Sequence, residues 1–111
     1  MTLAEDLDRL KLADPETWEA IDLDMPDGFD IRHIENHTTD GQVVMGWILQ
    51  GGIQRAIQAR EWWCELVFGA QHNKNRWQAK VYSDQMGLHL ADTPTEAILR
   101  AYLAAMEASN G

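Results

Sequence analysis

The sequence predicts an α+β fold: a mainly antiparallel sheet sandwiched by helices, with further helices at the N-terminus. Three observations point there. Residues 61–91 alternate apolar and polar side chains in three short runs separated by polar turns, the period of half-buried strands. Segments with apolar residues at helical spacing flank that block, so its order is helix–strand–strand–strand–helix. The first 24 residues carry two separate helix-start signals. At 111 residues the chain has the length of a single domain, 1–111. It can build a core without disulfide staples.

The elements follow in order. Thr2 and Glu5 form a T-x-x-E capping box that satisfies open backbone donors. Leu3, Leu7 and Leu10 then share one face, so residues 3–12 read as an amphipathic helix. Asp14-Pro15 is a second start: Asp caps, and proline at the first helical position loses nothing by lacking an N–H. Trp18 and Ile21 share its inner face, and Pro26-Asp27-Gly28 closes the region in a turn. Residues 1–27 are therefore helical and acidic.

Residues 28–60 allow two readings. Phe29, Ile31 and His33 alternate with Asp30, Arg32 and Ile34 as a strand would. Asp40-Gly41 is a hairpin signal, and Gln42–Leu49 would be the returning strand. Gly51-Gly52 would then break the chain before a short helix marked by Ile53, Ala56 and Ile57. The alternative is one longer helix over 42–60 that tolerates its glycines.

Residues 61–108 read as three strands and a helix. Trp63, Glu65 and Val67 alternate with Trp62, Cys64, Leu66 and Phe68. After the polar loop 71–75, Trp77, Ala79 and Val81 alternate with Gln78, Lys80 and Tyr82. A turn at 83–85 leads to a third strand, Gly87–Ala91. Thr93-Pro94-Thr95-Glu96 combines a capping box with proline at the first helical position. Ala97, Ile98, Ala101, Tyr102 and Ala105 mark the buried face of the helix that follows.

The strand Arg76-Trp77-Gln78-Ala79-Lys80-Val81 and the helix start Ala91-Asp92-Thr93-Pro94-Thr95-Glu96-Ala97-Ile98-Leu99-Arg100-Ala101 carry a resemblance. Over residues 61–108 the chain resembles the phage ABA-sandwich domains of unknown function. Those domains pair a W-x-A strand with an A-(D/E)-T-P-x-x-A-I helix. The resemblance implies a phage or prophage context and brings no catalytic residues. The first half of the chain has no counterpart in it.

Charge is the most informative compositional feature. The net charge is −9, and all of it lies in residues 1–52, with twelve acids against three bases; residues 53–111 carry six of each. Asp14, Glu16, Glu19, Asp22, Asp24, Asp27 and Asp30 form a stretch of seven acids without a base. Such a balance disfavours a phosphate-backbone binder. The longest apolar run is Val43–Leu49, far short of a membrane span. The N-terminus is acidic where a secretion signal is basic. Cys64 is the only cysteine, which favours a reducing compartment. The expected location is cytoplasmic, the host cytoplasm if the chain is phage-encoded.

No pattern supports an enzyme, metal or cofactor. Asp22-x-Asp24-x-x-Asp27-Gly28 fails as a calcium loop, because Pro26 and His33 stand where ligands are needed. His33 and His37 are spaced i, i+4 without the H-E-x-x-H order or a readable further ligand. Cys64 has His72 and His89 as available partners, yet it lies mid-strand, away from any helix N-terminus that would activate it. Adjacent Trp62 and Trp63 point to opposite sheet faces. If only one face is covered, one of them is exposed and can anchor an interface.

The expected function is therefore non-enzymatic. It is a phage or prophage accessory protein acting through protein–protein contact with a basic surface. Its specific form is an acidic, nucleic-acid-mimicking inhibitor of a host defence complex, in kind like anti-CRISPR proteins. The alternative is a small nucleic-acid-binding module with the layout of a double-stranded-RNA-binding domain, using Arg55, Arg60, Lys74, Arg76 and Lys80. Such modules want lysines at the start of the last helix, where this chain has Thr93-Pro94-Thr95-Glu96.

Overall fold

A computed structural model describes residues 2–36, 38–71, 74–83 and 86–110. The order is α1 (Leu3–Ala13), α2 (Pro15–Asp24), a short 3-10 helix (Ile31–Asn36), α3 (Thr39–Ala59), β1 (Trp63–Gln71), β2 (Lys74–Tyr82), β3 (Met86–Ala91) and α4 (Pro94–Asn110). The three strands make one antiparallel sheet in the order β1-β2-β3. The protein is α+β with helices packing on the sheet. No described helix is long and apolar enough to cross a membrane.

The predicted starts are where the chain chemistry puts them. Thr2 and Glu5 exchange both bonds of a capping box at α1. Asp14 caps α2, with its carboxylate accepting from the Thr17 N–H. The Thr93 hydroxyl accepts from the Glu96 N–H at the head of α4.

Residues 28–60 correct one expectation. The hairpin of strands over 29–34 and 42–49 does not form. A 3-10 turn and one 21-residue helix stand in its place. The longer-helix alternative is the structure. Its glycines are packing positions rather than breaks. A Cβ on Gly52 would collide with Ile21 Cγ1, and one on Gly46 would lie 3.2 Å from the Thr95 hydroxyl oxygen. These two residues let α2 and α4 approach α3 closely. The helix ends instead at Glu61, in the left-handed region at φ 60. There the Glu61 N–H donates to Gln58 O and the Trp62 N–H to Ile57 O, the two bonds of a Schellman motif without its usual glycine.

Helix α4 is the centre of the molecule. Ala97, Ile98, Leu99, Ala101, Tyr102, Leu103, Ala105 and Met106 are all buried, while a stripe of Glu96, Arg100, Ala104 and Glu107 stays partly open to solvent, so most of the helix surface is covered. Strands β2 and β3 cover one side, and α1 and α3 the other. The closest approach is at Gly87 on β3, where a Cβ would collide with Ala101 O. The sheet's register puts Cys64, Leu66, Phe68, Trp77, Ala79, Val81, His89 and Ala91 on the side facing α4. Trp63, Glu65, Val67, Gly69, Arg76, Gln78, Lys80, Tyr82, Leu88 and Leu90 fall on the other.

Candidate functional site

The seven acids of the 14–30 stretch divide into three groups. Asp14 is not on the surface. It is 7% exposed and sits where α1 turns into α2, facing α3 and α4. Its carboxylate accepts from the Thr17 hydroxyl at 2.6 Å and the Tyr102 hydroxyl at 2.5 Å, with Arg60 at 3.5 Å. Burial opposes its ionisation. The bonds from Thr17 and Tyr102, with the Arg60 charge, outweigh that and hold the carboxyl below its ordinary pKa. Tyr102 is pushed up to about 12, by burial first and then by its bond to Asp14. Asp14 is thus a structural latch, and the expectation that it belongs to an exposed binding set is corrected.

Asp24 and Asp30 are engaged by their own chain. Asp24 accepts from Arg55 at 2.5 Å. Asp30 is gripped by the Arg32 guanidinium at 3.2 and 2.9 Å and by the Arg32 N–H. Those bonds lower its pKa to about 2.

Glu16, Glu19, Asp22 and Asp27 are exposed, and none makes an ion pair among the described residues. Glu16, Glu19 and Leu23 fall at i, i+3, i+7 on the outer face of α2, opposite buried Ile21. Leu23 is 77% exposed, so the ridge carries one apolar knob among its carboxylates. No base lies on α2.

The tryptophan pair separates as alternation requires. Trp62 packs half-buried against Tyr102, ring centroids 6.1 Å apart, under the Arg60 guanidinium. Trp63 points from the other face, 65% exposed, edge-on to Tyr82.

A groove of about 300 Å³ runs between the first half of α3 and the head of α4. Leu3, Ile34, Val43, Trp47 and Pro94 line it, with Trp47 69% exposed. A strand over 42–49 hides this feature; helical spacing places Val43 and Trp47 together, at i and i+4.

The bases of the nucleic-acid alternative are dispersed among acids. Arg55 holds Asp24 and Arg60 reaches Asp14. Arg76 lies 3.7 Å from Asp92, and Lys80 is the cross-strand neighbour of Glu65. The side chain of Lys74 lies outside the described residues. So do His37 and His72. Cys64 is half-buried, and burial pushes its thiol up, the opposite of an activated nucleophile. His89 is lowered, by burial first and then by Arg100 and Arg9. No cluster of three metal-ligating side chains occurs among the described residues. Comparison with family models, with curated proteins and with solved structures found no match.

Proposed function

We propose that this is a non-enzymatic binding protein that engages a partner with a basic surface through the outer ridge of α2. The observation that carries the reading is the set Glu16, Glu19, Asp22 and Asp27. Glu16, Glu19 and Asp22 share base-free α2 with exposed Leu23, and exposed Asp27 follows in the turn after the helix. A cluster of like charges steers a cationic partner and accelerates encounter, and an exposed leucine gives the contact an apolar centre. Asp24 and Asp30 flank the ridge and become available only by giving up Arg55 and Arg32. In its most specific form the protein is a phage or prophage accessory factor that occupies a nucleic-acid groove on a host defence complex.

The test is retention of host-lysate proteins on the immobilised chain at low and high salt. It compares wild type with a variant carrying Lys at positions 16, 19, 22 and 27. A partner held at low salt by wild type, and lost both in high salt and in the variant, is the expected outcome. A partner retained equally by both proteins sinks the ridge. Gel shifts with RNA and DNA at low salt test the nucleic-acid alternative, and no shift is expected.

A further inference from the structure

The sheet ends in β1, whose start, Trp63–Glu65, lines a pocket with Gln54, Ile57 and Gln58 of α3 and whose later residues pair with no further strand among the described residues. β1 is nine residues long and has β2 on one side only. Natural edge strands are protected by charged side chains, lysine above all, by proline, bulges or brevity, or by a covering helix or loop, and β1 carries a single charge, Glu65. β1 (WCELVFGAQ) has neither lysine nor proline, and its register with β2 runs without a bulge from Trp63↔Tyr82 to Gln71↔Lys74. Its apolar side chains are exposed on both faces: Val67 55% on the outer face and Phe68 53% on the α4 face. A ligand lying on one face would cover only one of them. A strand added to the edge would neighbour both.

We propose that β1 is the pairing edge for a second copy of this chain, the two β1 strands joining antiparallel about a two-fold axis at Val67. This goes beyond the ridge of α2 and uses the neutral half of the molecule. The register follows from the residues. Centring on Val67 sets Phe68 beside Leu66 of the other copy and Glu65 beside its Gly69. Centring on Glu65 would oppose two like charges, which is destabilising.

Charge complementarity favours a second copy over a foreign strand. Within one copy the outer-face rows are Lys80–Glu65 and Gly69–Arg76. Pairing about Val67 joins them as Lys80, Glu65, then Gly69 and Arg76 of the other copy. Glycine leaves that path open: a Cβ on Gly69 would meet nothing within 4 Å. Two strand spacings, about 10 Å, separate Glu65 from the second Arg76, within reach of the two side chains together. Arg76 already faces Asp92, Nε to carboxylate 3.7 Å, and Glu65 of the other copy would join that pair. The row occurs twice by symmetry, as an isologous contact requires. The acids that give the chain its net charge lie in residues 1–52, outside the strand.

The experiment is solution mass by light scattering on the full chain at about 100 μM, with thiol cross-linking beside it. Wild type is expected near twice the chain mass of 12.6 kDa, and Val67→Lys, which sets two cations on the axis, near 12.6 kDa. Gly69→Asp, which faces Glu65 of the other copy with an acid, is expected to weaken the dimer about tenfold. In a Cys64→Ser background, Val67→Cys places two thiols about 4.5–5.5 Å apart at Cα, within disulfide range. It should oxidise to a covalent dimer at least about tenfold faster than Leu23→Cys in the same background. A wild-type monomer overturns the proposal. So does a dimer untouched by Val67→Lys, or a Val67→Cys variant that cross-links no faster than the Leu23→Cys variant. The cross-linking comparison stands even if Val67→Lys fails to fold.

Discussion

The inward and outward faces of the N-terminal helices use the same residue type to opposite ends. Asp6 and Asp14 point inward and each meets a side chain of α4. Asp6 is fully buried, 2.7 Å from Arg100 Nε and 3.3 Å from Arg9. Asp14 meets Tyr102. Glu16, Glu19, Asp22 and Asp27 point outward and meet solvent. A buried carboxylate costs several kcal/mol unless donors enclose it, whereas an exposed one costs little. Charge on the inner face therefore locks helices together, and charge on the outer face makes a field. Net charge cannot tell these apart; helix phase can.

The inner face should break first and hardest. Asp6→Ala takes from Arg100 the carboxylate 2.7 Å from its Nε and from Arg9 one of its acid partners, while the Arg9–Glu107 pair stays. The expected loss is about 3–5 kcal/mol, read from urea unfolding. A loss below about 1 kcal/mol would move Asp6 among the surface pairs. Asp14→Ala comes next. It removes the cap of α2, about 1 kcal/mol, and strips Tyr102 and Arg60 of an acceptor. The sum expected is about 2–3 kcal/mol.

Tyr102→Phe sharpens the comparison through pH, at about 1–2 kcal/mol near neutrality. The Tyr102 pKa is raised to about 12, above an unfolded value of about 10. Stability tied to the protonated phenol is thus complete below about pH 10 and is lost as pH rises towards 12. Asp14 has the opposite sign. Its pKa is lowered, so its contribution is complete above an unfolded value of about 4 and is lost as pH falls through the folded one. The Tm gap between wild type and Tyr102→Phe should hold from about pH 5 to about 9 and narrow above about 10. A gap that widens there would contradict the hydrogen bond to Asp14.

Legibility in the sequence depends on whether a signal is local. The caps at Thr2, Asp14 and Thr93 are local, and so is the alternation of the three strands, so those elements can be read directly. Helix α3 cannot, because its glycines serve contacts with residues far away in the chain, Gly52 with Ile21 and Gly46 with Thr95. Its true end at Glu61 carries no glycine. The groove beside Trp47 is hidden for the same reason. In the acidic stretch, Asp14 is legible as a cap but not as a buried group, because its partners Arg60 and Tyr102 are 46 and 88 residues away. Asp6 does carry a usable signal: it lies at the spacing of Leu3, Leu7 and Leu10, on the apolar face of α1. An acid at such a position has to find a buried cation.

The outer face should give the smallest stability effect and, if the ridge binds, the largest functional one. Glu16→Lys, Glu19→Lys, Asp22→Lys and Asp27→Lys each change an exposed side chain, worth within about 0.5 kcal/mol. Placing Lys at position 16, in the first turn of α2, opposes the helix dipole by about 0.3–1 kcal/mol. Against this, the four together relieve repulsion within an acidic half. The variant's unfolding midpoint should stay close to that of wild type while salt-sensitive partner binding disappears. If the four substitutions instead cost as much as Asp6→Ala, the outer carboxylates would be holding the fold, and the contrast between the two faces would collapse. Stability and binding must therefore be measured on the same preparation, since only their divergence separates a field from a latch.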